Sequence, residues 1–149
     1  KDRIDLVIDT DAATEIDDQF AIAYALLSRE RFHIRGIYAA PFAMNEKTKD
    51  PNVGMQMSYD EIVNIMHLCG ENPDGLVFHG AGAYGAPQPS DASMHLVQLA
   101  KNYSPEKPLY VAAIGAITNI ATAILELCWY GLQEMILTTV LMYITFTRM

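Results

Sequence analysis

The chain has 149 residues, of which 51% are apolar and 19% are charged, and its formal net charge is −8. These values predict one globular domain with an apolar core and exclude a disordered chain. The negative charge argues against a non-specific nucleic-acid binder, which needs a basic face to displace counterions from phosphates. It is compatible with a site that collects a hard cation. The two cysteines, Cys69 and Cys128, have no metal-ligand spacing, so we expect both to be packing residues.

Apolar runs alternate with helical patterns along the chain. The runs predict strands over Ile4–Ile8, His33–Ala40, Leu76–Phe78 and Leu109–Ile114. The helical spacing predicts helices over Asp17–Leu27, Ser58–Cys69, Ser90–Tyr103 and Thr118–Leu127. A polar loop is expected from Ala43 to Gly54. This alternation predicts a single α/β domain with an open, mostly parallel, Rossmann-like sheet and flanking helices, in which ligands bind beyond the carboxyl ends of the strands.

The C-terminal stretch from Cys128 to Met149 is an atypical, almost entirely apolar tail. Its uncharged part, Met135 to Phe146, is shorter than the roughly 20 residues of a membrane-spanning helix, so no membrane partner is expected. Its β-branched residues favour a fifth, buried strand. Because an exposed apolar surface favours self-association, we also expect a homo-oligomer. The sequence begins without a signal-peptide pattern, which favours a cytoplasmic location.

The main candidate catalytic or metal-binding side chains lie in the segment from Asp9 to Asp18. It contains four aspartates at a strand end and a helix start. Alternation along a strand puts Asp9 and Asp11 on one side. Asp17 and Asp18 lie near a helix N-terminus, whose amides attract anionic groups. Because crowded carboxylates repel one another, a hard divalent cation with oxygen ligands would offset them. In the alternative interpretation, Asp9 accepts hydrogen bonds from backbone amides, Asp17 caps the helix and Asp18 is solvated.

This segment, Asp-Thr-Asp followed by a short loop and Asp-Asp before an apolar helix, resembles the N-terminal signature of the inosine/uridine-preferring nucleoside hydrolases. The stretch Gly36-Ile37-Tyr38-Ala39-Ala40 resembles the second strand of that family. The stretch Ile114-Gly115-Ala116-Ile117-Thr118-Asn119-Ile120-Ala121 resembles its strand–turn–helix unit. The resemblance covers roughly residues 4 to 127. It implies a nucleoside hydrolase-like α/β fold and calcium-dependent hydrolysis of the N-glycosidic bond of ribonucleosides, which gives ribose and free base.

The family's residue roles carry over onto matching positions. The resemblance implies that Asp11 is a calcium ligand and the general base for water, and that Asp18 is a second calcium ligand. Asp17 would contact the ribose hydroxyls. The carbonyl oxygen of Ile114 would bind calcium, and Asp9 would be either a ligand or a supporting carboxylate.

Two further residues are candidate contacts to a nucleoside or ribosyl ligand. Asn45 is the nearest counterpart of the family's substrate-binding asparagine, although it lies a few residues late. His79 stands beside Gly80 in the loop after a predicted strand, and therefore near the expected mouth of the site. The glycines at 80, 82 and 85 suggest a phosphate-binding loop, but they do not fit the dinucleotide-binding pattern.

Two departures from the family leave alternatives open. The loop between the aspartate pairs has five residues, 12–16, where the family commonly has three, which resembles a divergent branch. Residues 128–149 show no match to the family's second half, which supplies a further Asp ligand, a His that acts on the leaving base, and Asn and Glu sugar contacts. The chain could therefore be a catalytically incomplete relative that binds metal or sugar. A third interpretation is a magnesium phosphohydrolase with Asp9 and Asp11 as nucleophile and acid, but the expected lysine at a strand end is missing.

Overall fold

The computed structural model describes residues 3–44, 46–129 and 140–144. Its strands are β1 (Ile4–Thr10), β2 (Phe32–Ala39), β3 (Val77–Phe78), β4 (Leu109–Ala113) and β5 (Val140–Ile144). Its helices are α1 (Ile16–Leu27), α2 (Pro51–Leu68), α3 (Asp91–Ala100) and α4 (Thr118–Trp129). All strand pairs are parallel, in the order β3-β2-β1-β4-β5. The predicted α/β fold is confirmed, and β5 is the strand expected in the C-terminal tail. Within the described ranges, no helix combines the length and apolar content that a membrane crossing requires.

The sheet is covered on both faces because its central strands are apolar on both sides. In β1, Val7 packs into a core cluster with α3 and α4, while the next residue, Ile8, packs into a second cluster with α1 and α2. In β2, Tyr38 joins the first cluster and Ile37 the second. Successive strand side chains point to opposite faces, so near-continuous apolar runs are what a sheet buried on both sides requires.

The strand order places a topological switch point between β1 and β4. From β1 the chain moves through β2 to β3 on one side, and from β4 it moves to β5 on the other. With right-handed crossovers, the helices that follow β1 and β4 lie on opposite faces of the sheet. The loops after these two neighbouring strands therefore diverge and leave a cleft at the carboxyl edge, which is where open α/β sheets bind ligands.

Two predicted helix boundaries are wrong. The loop expected from Ala43 to Gly54 ends early, because Asp50 caps α2 by accepting a hydrogen bond from the Asn52 amide at 2.9 Å. Pro51 then occupies the first turn, where its fixed φ and missing N–H suit a helix start. Helix α3 ends at Ala100 rather than Tyr103, and bonds from the amides of residues 102 and 103 to carbonyls three residues back form a tight final turn.

Gly54 lets α2 approach the loop after β2. A Cβ atom at this position would lie 2.0 Å from the Phe42 carbonyl oxygen. An alanine in a helix interior normally stabilises by up to about 1 kcal/mol relative to glycine. Here we expect Gly54→Ala to reduce the free energy of unfolding by about 1–3 kcal/mol, because the helix must move away from the loop.

Urea denaturation checks this expectation. The exposed neighbour Val53 provides the control, since Val53→Ala should change stability by less than about 0.5 kcal/mol. A Gly54→Ala protein that is more stable than the parent would show that α2 is not held against Phe42.

Candidate active site

A cavity of about 560 Å³ opens at the carboxyl edge of the sheet. The loops that follow β1, β2, β3 and β4 all contribute to its wall. The lining residues are Asp11, Thr14, Glu15, Asp17, Asp18, Ala21, Phe42, Ala43, Met44, Tyr84, Ile114 and Gly115. Five of these twelve carry a carboxylate or a hydroxyl from the segment between residues 11 and 18. The cavity therefore lies where the fold predicts a ligand site and presents the acidic motif to it.

Asp11 is held between a turn and a glycine. Its carbonyl oxygen accepts hydrogen bonds from the amide and the hydroxyl of Thr14, at 2.8 and 2.9 Å. A Cβ atom on Gly115 would lie 2.7 Å from the Asp11 nitrogen and 2.8 Å from its Oδ1. Only glycine therefore lets the loop after β4 approach Asp11 so closely, which accounts for the glycine in the strand–turn–helix motif.

Lys47 restrains the same loop from the segment that follows β2. Its ammonium group donates hydrogen bonds to the carbonyl oxygens of Ala13 and Thr14, the latter at 3.0 Å. These bonds tie the segment after β2 to the segment after β1. The five-residue loop between the aspartate pairs is thus an ordered part of the wall.

Asp18 is buried in the first turn of α1, where Thr10 donates a hydrogen bond to its Oδ1 at 3.0 Å. Burial, followed by the charge of Asp11, raises the pKa of the Asp18 carboxyl to about 7. Burial also raises the pKa of Asp11, with Glu15 and Asp17 adding in the same direction. These carboxylates repel one another where burial limits their solvation, and a bound cation would reduce that repulsion.

Asp9 and Asn119 form a fully buried pair behind the cavity. The Asn119 amide donates to Asp9 Oδ1 at 2.8 Å and to the Ala39 carbonyl at 3.2 Å, and its oxygen accepts from the Ala81 amide at 2.7 Å. Asn119 thereby links β1, β2, the loop after β3 and α4. A Cβ atom on Gly80 would lie 1.9 Å from the Ala39 carbonyl oxygen, so this glycine serves close packing around the pair.

The structure brings together most of the residues that the sequence singled out. Asp11, Asp17, Asp18 and Ile114 all line the cavity. Asp9 is not among the lining residues, and Asn119 holds its carboxylate.

The two candidate substrate contacts have different outcomes. His79 does not line the cavity, because its ring stacks on Tyr59 of α2 with the ring centroids 3.7 Å apart. Asn45 lies outside the described residues.

Three large lining side chains, Phe42, Met44 and Tyr84, were not predicted from the sequence. Phe42 and Met44 follow β2, and Tyr84 lies in the glycine-rich loop after β3. Burial raises the pKa of the Tyr84 hydroxyl, and the nearby Asp11 charge adds to the rise, although a backbone hydrogen bond at Ala43 opposes it. The sequence did offer one indication that Tyr84 lines the cavity, since it is an aromatic residue in a glycine-rich loop that follows a strand. These side chains give the acidic cavity an apolar wall.

Oxygen atoms are the ligands that a hard cation prefers, and the described residues that line the cavity would supply only part of a coordination shell. Asp11 and Asp18 offer carboxylate oxygens, and Ile114 offers a backbone carbonyl. Among the described residues, no group of three or more His, Cys, Asp or Glu side chains is arranged to hold a metal. Calcium takes about six to eight oxygen ligands, so water or sugar hydroxyls would complete the shell. Asp9 Oδ2 is buried without a hydrogen-bond partner in the described part of the chain.

The Asn119 network predicts a large loss of stability on truncation. Asn119→Ala leaves the Asp9 carboxylate, the Ala81 amide and the Ala39 carbonyl unpaired, so we expect the free energy of unfolding to fall by about 2–5 kcal/mol. Asn64, exposed on α2, supplies the matched control, because Asn64→Ala removes the same amide without exposing a buried group. Equal midpoints of denaturation for the two variants would rule out the structural role of the pair.

The raised pKa of Asp9 predicts how stability changes with pH when divalent cations are removed with EDTA. Burial raises this pKa from 3.8 to about 7, with the Asp11 charge adding to the rise and the Asn119 hydrogen bond opposing it. Between these values the folded state holds a proton that the unfolded state has released, so the free energy of unfolding falls as pH rises.

Asp9→Asn keeps an acceptor for Asn119 and removes the ionisation. This variant should match the parent near pH 4 and exceed its stability at pH 7.5, by an amount on the order of a few kcal/mol. Denaturation at several pH values measures the difference, with the exposed Asp74→Asn as control. A difference between Asp9→Asn and the parent that does not change with pH would refute the assignment.

No protein-family model matches the chain, and no curated protein is significantly similar to it in sequence. The resemblance to nucleoside hydrolases therefore stays a hypothesis that rests on the residue pattern. Parallel α/β sheets of this kind carry many unrelated activities, so the fold does not supply a function. Function has to be argued from the chemistry of the cavity.

Proposed function

We propose that this chain hydrolyses the N-glycosidic bond of ribonucleosides with the help of a calcium ion. The observation that carries the proposal is the convergence of Asp11, Asp17, Asp18 and Ile114 on one cavity at the switch point of the sheet. These are the positions that the aspartate motif and the strand–turn–helix motif single out. They come from two parts of the chain about 100 residues apart, so their meeting does not follow from sequence proximity.

The charge of the cavity suits this reaction. Breaking the bond between C1′ and the base builds positive charge on the ribose, as in other glycoside hydrolyses. Carboxylates fixed in a partly dry cavity stabilise such a charge more than water does. Asp11, held by Thr14 and Gly115, would accept the proton of the attacking water. Asp17, exposed in the first turn of α1, would accept hydrogen bonds from ribose hydroxyls.

A bound calcium ion would supply Lewis acidity, lowering the pKa of water and holding ribose oxygens. Asp11, Asp18 and the Ile114 carbonyl would hold it. Thr10 orients the Asp18 carboxylate for this role through its hydroxyl. Burial, and then the charges of neighbouring acids, raise the pKa values of Asp11 and Asp18, and a bound ion would favour the ionised form of both carboxyls.

The size and walls of the cavity fit a nucleoside. A volume of about 560 Å³ lies within the usual range of small-molecule sites. Phe42, Met44 and Tyr84 line the same cavity as the acids, and a planar base would pack against their apolar parts. The acidic side would thus take the sugar and the apolar side would take the base.

A second candidate function is binding of metal or sugar without turnover. It is favoured by the composition of the wall, since among the described lining residues there is no His, Lys or Arg to protonate the leaving base. Tyr84 is the one described lining residue with a hydroxyl on the apolar side. A magnesium phosphohydrolase with Asp9 as nucleophile is disfavoured, because Asp9 is fully buried and bonded to Asn119.

The proposal is tested by measuring ribose release from inosine and from uridine with calcium or with EDTA, while calorimetry measures calcium binding. We expect calcium-dependent release that Asp11→Asn lowers at least about 100-fold through loss of the base. Asp18→Asn should weaken calcium binding by at least about tenfold. Asp74→Asn, the same change on a surface away from the cavity, should leave both unchanged.

The outcomes separate the two candidates. Calcium binding that Asp18→Asn weakens, without ribose release, would support the non-catalytic function. A chain that neither binds calcium nor releases ribose would contradict both.

A further inference from the structure

Glu15 lines the cavity, but the proposed function gives it no role. It lies in the five-residue loop between the aspartate pairs and is exposed. It stands at the N-cap of α1, yet its side chain makes no capping hydrogen bond. Within the described ranges it forms no ion pair either. Its carboxylate is therefore available to a ligand of the cavity.

The charge of Glu15 acts inside the cavity. Burial is the main cause of the raised pKa values of Asp11 and Asp18, and the charge of Glu15 adds to both. A charge that disfavours the ionisation of two neighbouring acids favours any positive group placed among them, because the same Coulomb interaction acts with the opposite sign. Glu15 would therefore attract a cationic ligand in this cavity.

The acids of the cavity outnumber the positive charges that could offset them. Four carboxylates line it, and the other described lining residues are uncharged. The calcium ion of the proposed function would offset two of the four charges. Lys47 would offset a third, since its ammonium group binds carbonyl oxygens of the same loop. Lys49 lies in a neighbouring pocket together with Glu46. A ligand with one positive charge would match the charge that is left over, whereas a neutral ligand would not.

Tyr84 gives the same cavity an aromatic surface for such a ligand. Its side chain is 45% exposed and lines the cavity. Burial and then the charge of Asp11 raise the pKa of its hydroxyl, so the phenol lies within reach of that carboxylate's field. Cations bind to the faces of aromatic rings, which carry partial negative charge. A planar cation packed on Tyr84 would be stabilised by the ring and by the carboxylates together.

We propose that the substrates of this site are ribonucleosides whose base carries a fixed positive charge, such as N-ribosylpyridinium compounds and N7-alkylated purine ribonucleosides, and that Glu15 selects them. This inference rests on the proposed function and narrows its substrate class. Calcium and the acids around it would take the ribose, and the positive base would lie between Tyr84 and Glu15.

The departure of a cationic base also suits the groups that line the cavity. A neutral base becomes an anion when the bond from C1′ to its nitrogen breaks, unless an acid protonates it. A cationic base takes the electron pair of that bond onto its ring nitrogen and leaves as a neutral molecule. The water oxygen forms the new bond to C1′, and Asp11 accepts the proton of the water. Ribose, the neutral base and protonated Asp11 are the products, so no proton has to be delivered to the leaving group.

Calorimetry with two analogues that differ in charge tests the preference without turnover. The carbocyclic analogue of nicotinamide riboside has no glycosidic bond to hydrolyse, and its 1,4-dihydro form has nearly the same shape but no charge. In the presence of calcium, the parent chain should bind the charged analogue at least about tenfold more tightly. The difference should shrink in about 1 M salt, where charges are screened beyond about 3 Å.

Glu15→Gln tests whether this residue selects the charge. The variant should lower the ratio of the two affinities about fivefold, because one carboxylate is lost from the cavity. Glu30→Gln is the matched control, since Glu30 is exposed beyond the opposite end of α1, and it should leave the ratio unchanged. The ratio of kcat/KM for nicotinamide riboside, corrected for spontaneous hydrolysis, to kcat/KM for uridine should fall by a similar factor in Glu15→Gln.

The outcomes separate this inference from the proposed function. Equal affinities of the parent for the two analogues, or a preference that Glu15→Gln leaves intact, would overturn the selection of cationic bases. Ribose release from inosine or uridine in that case would leave the proposed function standing. A chain that releases ribose from none of the three nucleosides would overturn both.

Discussion

The buried hydrogen bond between Asn119 and Asp9 is the contact on which the site depends. A carboxyl group without water is costly unless it is paired, and here one amide side chain satisfies an oxygen of Asp9, the Ala39 carbonyl and the Ala81 amide. Those three groups belong to the segments that end β1, β2 and β3, while Asn119 itself belongs to α4. One residue therefore fixes the relative positions of the four loops that frame the cavity.

In the rest of the site, packing and hydrogen bonds hold acidic side chains close together despite their mutual repulsion. Asp11 and Asp18 repel each other, and Gly115 and Thr10 keep them in place from opposite sides. Lys47 binds backbone carbonyls of the same loop, so its charge offsets the acids without contacting their side chains. Acids held together in this way would be stabilised by a positive partner, as the proposed function requires. The ribosyl cation of a glycosidic transition state and a divalent metal ion share that property.

The fold was largely predictable because buried parallel strands and amphipathic helices leave local patterns. The acidic half of the cavity was predictable for a similar reason, since Asp11, Asp17 and Asp18 are close in sequence. The helix start at Pro51 was missed because a polar loop masked the Asp-Pro signal, although Asp50 does cap the helix. The apolar wall and the role of Asn119 were missed because they depend on contacts between distant segments. Asn119 and Asp9 are 110 residues apart, and no local pattern encodes their pairing.

The central strand pair also determines when the site can form. Strand β1 lies between β2 and β4, and the Ile114 amide donates to the Asp9 carbonyl at 2.8 Å across that second pairing. During synthesis, Asp9 lacks this neighbour until the segment around Ile114 has also left the ribosome. Pairing of such distant segments raises contact order and slows folding. A nascent chain therefore carries an incomplete acidic edge, and the cavity forms only when β4 pairs with β1.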